Sequence, residues 1–295
     1  MMDSKHKGIL YSVSASVLFG LSPVFVRLML DSVNIETLNV LLTVFSTSFF
    51  ALVLFLSKRS LHFKVILRNW RKVGLLGLVT AMFALLYVYG IYVSGPTNAA
   101  FLLQFATVFT ILFGVVFLKE RFTKGEGWGI VVAVVGVFVL AYGNLSVEVV
   151  GTLIFLCASL LVALSNLLSK IYVKDVNPLA LAGGNSMFVS VFIFSYVLLF
   201  GKLEVNIPSE AVVYAALASL VSVVFSFILL YKALEVYEVS KTATIRTMEP
   251  FFTAIFSFAI LSLSPTINQL SGGFLIVIGV VIVSLTRTRC TSSRD

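Results

Sequence analysis

The chain has 295 residues, 59% of them hydrophobic and 12% charged, with a net charge of +8 and a mean hydropathy of +1.07. A water-soluble domain of this length cannot bury so much apolar side chain, so these values exclude an ordinary soluble enzyme or nucleic-acid-binding module. They are the values of a protein that crosses a membrane repeatedly.

A membrane-crossing helix takes roughly 20 mainly apolar residues. Ten runs of that kind are read at 8–30, 35–57, 72–93, 96–118, 127–144, 149–173, 178–200, 210–231, 239–262 and 267–286. The start, MMDSKHKGILYSVSASVLFG, has the basic head and apolar run of a secretory leader. Its apolar run continues past any small-residue cleavage position and nine similar runs follow, so it is read as the first span. Between the second and third runs, KRSLHFKVILRNWRK at 58–72 interleaves basic residues with Leu61, Phe63, Val65, Ile66 and Trp70. This segment is expected at the cytoplasmic surface, against anionic lipid or as a simple basic anchor.

Tyr87, Tyr89 and Tyr92 end the third span, where an interfacial aromatic belt and stacking on a solute are both consistent with them; Tyr89 is kept as a candidate substrate contact. In the fourth span Thr97, Gln104, Thr107 and Ile111 share a face, making Gln104 a candidate for substrate binding or a helix-to-helix hydrogen bond. Asn166 is the polar candidate of the sixth span, next to Ser165.

The ninth span contains TATIRTMEPFFTAIF. Thr242, Arg246, Glu249 and Thr253 stand at i, i+4, i+7 and i+11, one face of a continuous helix. From an inner boundary near residue 239, Arg246 lies about 11 Å and Glu249 about 15 Å deep, close to the middle of a hydrocarbon core about 30 Å thick. Ionisable groups at that depth face a cavity or a partner. Pro250 lacks an amide hydrogen, which leaves the carbonyl of Arg246 without its helical partner and bends the helix. Arg246 offers a fork for a carboxylate or phosphate, whereas Glu249 accepts a substrate ammonium or carries a coupled proton. The competing expectation is that the two only neutralise one another within the bundle.

Basic residues are asymmetrically placed. With a cytoplasmic N-terminus, the inside segments hold Lys5, Lys7, Lys58, Arg59, Lys64, Arg68, Arg71, Lys72, Lys119, Arg121 and Lys124 in the first half of the chain. In the second half they hold Lys170, Lys174, Lys232, Lys241, Arg287, Arg289 and Arg294, while the outside loops hold Lys202 alone. The bias predicts N-in, C-in orientation. Arg27 and Lys170 sit near opposite faces, where their heads can snorkel.

The sequence also matches itself at an offset of 143 positions. Gly8, Ala15, Ser16 and Leu21-Ser22 align with Gly151, Ala158, Ser159 and Leu164-Ser165, and Phe109-Thr110, Thr123, Gly129 and Gly136 align with Phe252-Thr253, Thr266, Gly272 and Gly279. Five spans per unit is an odd number, so the second copy enters the membrane from the opposite side. The expected architecture is all-α: two inverted five-helix repeats, 1–145 and 146–295, able to expose a central site alternately to either face. The charges of span nine fall on Leu103 and Ala106 of the first unit, so the expected site is asymmetric.

No metal cluster, nucleotide-binding loop or catalytic constellation is found: His6 and His62 are cytoplasmic, the aspartates Asp3, Asp31, Asp175 and Asp295 lie in loops or tails, and Cys157 and Cys290 are not placed to pair. No enzyme activity, cofactor or nucleic-acid partner is expected.

The segments SVLFGLSPVFVRLML, YGIYVSGPTNAAFLLQFATVFTILFGVVFLKERFT and GWGIVVAVVGVFVL, with the second-half ASLLVALSNLLSK and YEVSKTATIRTMEPFFTAIF, resemble the EamA-type branch of the drug/metabolite transporter superfamily over nearly the whole chain. The chain departs from a strict repeat in having Thr107 opposite Pro250, and Ser262-Leu263-Ser264 opposite Lys119-Glu120-Arg121. The resemblance implies ten helices with cytoplasmic termini, a cavity lined by spans 1, 3, 4, 6, 8 and 9, and transport of small metabolites such as amino acids. The functional expectation is a secondary transporter of small organic, amino-acid-like or related amphipathic solutes in the cytoplasmic (inner) membrane, as monomer or homodimer, by export or uptake, and either proton-linked with Glu249 as the coupling group or driven by the substrate gradient. The alternatives are a passive channel for small polar solutes and a non-transporting scaffold.

Overall fold

The computed structural model describes residues 4–56, 61–118, 123–141, 145–172, 175–176, 178–226, 229, 232–233 and 245–292. Among them every regular element is helical. In chain order these are α1 (Ser4–Gly20), α2 (Ser22–Leu30), α3 (Ile35–Leu56), α4 (Leu61–Arg68), α5 (Trp70–Leu102), α6 (Phe105–Leu118), α7 (Lys124–Ala141), α8 (Leu145–Tyr172), α9 (Pro178–Phe200) and α10 (Ser209–Leu217). A π-helical run, Ala218–Phe225, continues α10, and α11 (Glu249–Leu261) and α12 (Ile267–Ser292) complete the chain.

Five stretches, His6–Leu30, Ile35–Phe55, Trp70–Leu102, Val149–Ser169 and Ala180–Phe200, are each long and apolar enough to cross a bilayer; Phe105–Phe117, Ser209–Phe225, Glu249–Leu261 and Ile267–Val283 are shorter apolar helices. The outside of the bundle carries bare Phe55, Phe138, Leu199 and Phe200, which water would not tolerate in such number and hydrocarbon does.

Local sequence accounts for the helix ends. Asn34 Oδ1 accepts the Thr37 amide at 2.8 Å and caps α3. Thr123 and Glu126 form a reciprocal capping box at the start of α7, with Thr123 N to Glu126 Oε2 at 2.7 Å and Glu126 N to Thr123 Oγ1 at 3.2 Å. Thr266 and Gln269 repeat it at the start of α12, at 3.0 and 3.2 Å. α5 is two helical legs, because Gly95 lies at φ 82°, a region open to glycine, directly before Pro96.

The two halves pack reciprocally. On α3 and α9, the hydroxyl oxygens of Thr47 and Ser190, 143 residues apart in the sequence, lie 2.8 Å from each other. Thr47 donates to the Ser186 carbonyl at 2.9 Å, and Ser190 donates to the Thr43 carbonyl at 3.0 Å; Thr43 and Ser186 are themselves one repeat offset apart. α7 and α12 behave likewise, with backbone on backbone: a Cβ on Gly136 would lie 2.7 Å from the Gly272 carbonyl, and one on Gly129 would lie 2.7 Å from the Gly279 carbonyl. Position i of one half meets the counterpart of j in the other, and j meets the counterpart of i, which is the signature of a two-fold relation. Small residues permit the close approach, since apolar side chains gain little by leaving lipid for one another.

Candidate functional site

Two helix breaks meet where Gly20 approaches Glu249, Phe252 and Thr253. One separates α1 from α2 at Leu21, where Gly20 ends one helix and Pro23 lies in the first turn of the next. The other lies at Thr247-Met248, between a helical turn at Ile245-Arg246 and α11. Gly20 makes the crossing possible: a Cβ there would stand 2.9 Å from Phe252 Cβ and 3.3 Å from the Glu249 carbonyl. Thr253 is fully buried and locks the crossing, its hydroxyl donating to the Gly20 carbonyl at 3.0 Å.

The break falls before Pro250, which sits buried in the first turn of α11, and of the residues expected to share a face on span nine the structure describes Arg246, Glu249 and Thr253. Arg246 and Glu249 straddle an interruption. Met248 N bonds Ile245 O at 3.0 Å and Phe251 N bonds Met248 O at 3.1 Å, the tight i to i+3 pattern of a chain leaving one helix for another. Broken helices at membrane depth survive only where protein or a polar cavity surrounds them.

Across this break Arg246 Nη2 lies 3.5 Å from Glu249 Oε2, a single long contact and not a bidentate pair. The guanidinium lies over the Phe19 ring, 4.8 Å from its centroid, which fixes its plane by cation–π attraction. The side chains keep 39% and 24% of their surface exposed, so both charges remain reachable. Arg246 Nε is nonetheless buried and has no acceptor among the described residues. A desolvated charged donor in that state costs about 1–3 kcal/mol or more, which an acceptor brought by a ligand would recover.

Tyr87 joins this region from α5: its hydroxyl donates to Ser22 Oγ at 3.3 Å, and its ring packs on Phe83 at 5.5 Å. Seven residues earlier on α5, Thr80 meets Ser165 of α8 at 3.3 Å. Ser22 and Ser165 are repeat equivalents, so one face of α5 touches the matching serine of each half.

The other expected residues are more scattered. Gln104 is partly buried at the Leu103-Gln104 break between α5 and α6, with no hydrogen bond to Arg246 or Glu249. Asn166 is exposed on α8. Tyr89 is exposed and stacked with Tyr92 at 6.4 Å, away from Tyr87's inward contact. Thr242 lies outside the described residues. At the C-terminal end of α2, Arg27 pairs with Asp31 at 3.1 Å.

Phe19, Gly20 and the Ser22–Tyr87 contact escaped sequence reasoning. The run Gly20-Leu21-Ser22-Pro23 carries a helix-breaking signal that marks the first of these places. Nothing local marks the partners across the bundle.

With this geometry in view, the similarity to known proteins is informative. The sequence pattern of the EamA-like transporter family matches residues 6–142 and again 149–285, a displacement of 143 at both ends. The chain belongs to the EamA-like transporter family. An uncharacterized transporter of Methanothermobacter thermautotrophicus is 26% identical over 237 residues, covering 73% of this chain and 68% of that protein. A solved crystal structure superposes with a TM-score of 0.68 at 15% identity, covering 95% of this chain and 98% of that one, a likeness of fold. The protein is thus a membrane-embedded, multi-pass transporter whose family domain occurs twice.

Proposed function

We propose that this EamA-like protein is a secondary, alternating-access transporter of small organic metabolites, with amino-acid-like zwitterions as the favoured solutes. Its ten spans form two inverted halves, 1–145 and 146–295, with both termini cytoplasmic, in the cytoplasmic membrane. It exports solute, and Glu249 carries the coupled proton. Arg246 receives the solute's carboxylate and Glu249 its ammonium; Gln104, Asn166, Thr242 and Tyr89 supply further contacts as the halves rock, while Thr253 and Pro250 hold the broken helix.

The observation that carries this reading is the Arg246 guanidinium: stacked on Phe19, joined to Glu249 by one long contact, and left with a buried Nε that has no acceptor among the described residues. A purely structural ion pair would use its donors on the protein. The reciprocal packing of the halves supports the rocking motion, since related halves about a two-fold can exchange inward and outward shapes. The region offers charge recognition and, among the described residues, no nucleophile–base pair, which favours carriage over covalent chemistry.

The test is counterflow in proteoliposomes. Vesicles preloaded with unlabelled amino acid should transiently accumulate labelled solute above equilibrium, with saturable kinetics. Flux without saturation or counterflow would make the protein a channel and remove alternating access from the account.

A further inference from the structure

On the bundle's flank, α4 and the start of α5 build a surface that the transport site does not use. Ile66 anchors α4: it is buried against Val73, Val176 and Leu181, and a Cβ on Gly184 of α9 would come 3.1 Å from it. Lys64, Leu67 and Arg68 of α4 and Arg71 at the start of α5 are exposed. Trp70 is exposed beside them, with the Arg71 guanidinium 5.5 Å from its ring centroid. Lys72, by contrast, is engaged by Asp175 at 2.6 Å. No carboxylate pairs with Lys64, Arg68 or Arg71 among the described residues.

Arg71 also stands at the foot of an apolar stripe. Leu75, Leu78 and Met82 follow it at i+4, i+7 and i+11 and are 47%, 40% and 49% exposed. Eleven residues of helix rise about 16 Å, close to half of a hydrocarbon core about 30 Å thick. Three exposed cations with a tryptophan at one end, and a one-leaflet length of bare aliphatic side chain beyond them, have the dimensions of one phospholipid.

We propose that this surface is a binding site for an anionic glycerophospholipid, its phosphodiester held by Lys64, Arg68 and Arg71 beside Trp70, and an acyl chain lying along Leu75, Leu78 and Met82. Arginine forks and lysine match phosphate oxygens. The site is preorganised because α4 is pinned through Ile66, so little ordering entropy opposes binding. It rests on the orientation proposed above only for the choice of the cytoplasmic leaflet.

Trp70 is its own reporter. The chain has two tryptophans, so Trp128→Phe leaves Trp70 as the only one. In bilayers, quenching of Trp70 by dibrominated phosphatidylglycerol diluted in phosphatidylcholine is compared with quenching by dibrominated phosphatidylcholine diluted in phosphatidylglycerol. The anionic lipid should be enriched about fivefold or more at the site, the scale of one basic side chain at a charged membrane surface. Combined Lys64→Gln, Arg68→Gln and Arg71→Gln should bring the enrichment to one. Arg71→Gln alone should at least halve it, which keeps the test decisive if the triple variant does not insert. Equal quenching by the two lipids overturns the proposal, as does enrichment that these variants leave unchanged. Absence of quenching by either lipid overturns it too, and points to a second copy of the chain over Trp70. Bromine in both leaflets makes the outcome independent of sidedness. Sidedness is read separately, by labelling Lys64→Cys with an impermeant maleimide in sealed vesicles, in a background lacking Cys157 and Cys290.

Discussion

The fourth and ninth spans break at matching places, and only one break is charged. In the first half the interruption is at Leu103-Gln104; in the second it is at Thr247-Met248, with Gln104 and Thr247 one repeat offset apart. Both use short i to i+3 bonds: Gln104 N to Phe101 O at 3.2 Å and Ala106 N to Leu103 O at 3.0 Å on one side, Met248 N to Ile245 O at 3.0 Å on the other. Thr107 still donates to the Gln104 carbonyl at 3.0 Å, whereas its counterpart Pro250 has no amide to donate. The break therefore belongs to the repeat and does not originate in the proline. Arg246 and Glu249 are what one half adds to it, where the other keeps Leu103 and Ala106.

Writing the first half's residues into the second tests this division most directly. Arg246→Leu combined with Glu249→Ala removes the whole pair, so neither charge is stranded. Transport should fall by about 100-fold or more, the scale of losing charged hydrogen bonds at two ends of a solute. The thermal midpoint in detergent should stay within about 3 °C. A collapsed midpoint would make the pair part of the scaffold and end the separation of fold from chemistry. Each single variant should be measured beside the double, because Arg246→Leu alone leaves Glu249 without its cation and its loss cannot be assigned to solute binding otherwise.

Glu249→Gln comes next. It keeps shape and removes the charge, so proton-linked transport should lose its pH dependence and slow by about 10-fold or more. Insertion and midpoint should change little. Normal transport across pH would leave Glu249 as a neutralising partner for Arg246 and nothing further.

Pro250→Thr installs the first half's Thr107 and should cost less, because that half breaks without proline. A transport loss under about fivefold with stability altered by no more than about 1 kcal/mol is expected, since the exchange removes a helix-compatible first-turn proline. A loss as deep as that of Glu249→Gln would mean that the missing amide, and not the repeat's geometry, holds the site open.

Much of this was legible in the chain itself. The apolar runs follow from hydrocarbon thickness, and the 143-residue repeat is visible because glycines and caps such as Gly136 and Gly279, or Thr123 and Thr266, hold their register. The interruption within span nine has a weaker local signal. Helical spacing assumes a helix, and the chain leaves it at Thr247-Met248, so Thr253 turns to the Gly20 carbonyl while Arg246 and Glu249 face one another. Tyr87 could not be told from Tyr89 by composition, since what separates them is Ser22 on another helix. Contacts across the bundle have no local signal.

Phe19 is the clearest example of such a contact, and it gives the smallest expected effect. Its repeat counterpart is Val162, just as the counterpart of Arg246 is Leu103, so the aromatic ring and the cation are both absent from the equivalent positions. The ring orients the guanidinium from 4.8 Å away without touching Glu249's role as acceptor. Phe19→Val should weaken apparent affinity by about two- to fivefold, the range of an exposed to partly buried cation–π contact, and leave the maximal rate nearly unchanged. Phe19→Tyr should restore wild-type affinity, because any aromatic face will serve. If Phe19→Val instead lowers the rate at saturation, the ring acts in the rocking of α1 and α2 against span nine, and the charged break depends on the first half for motion as well as for orientation.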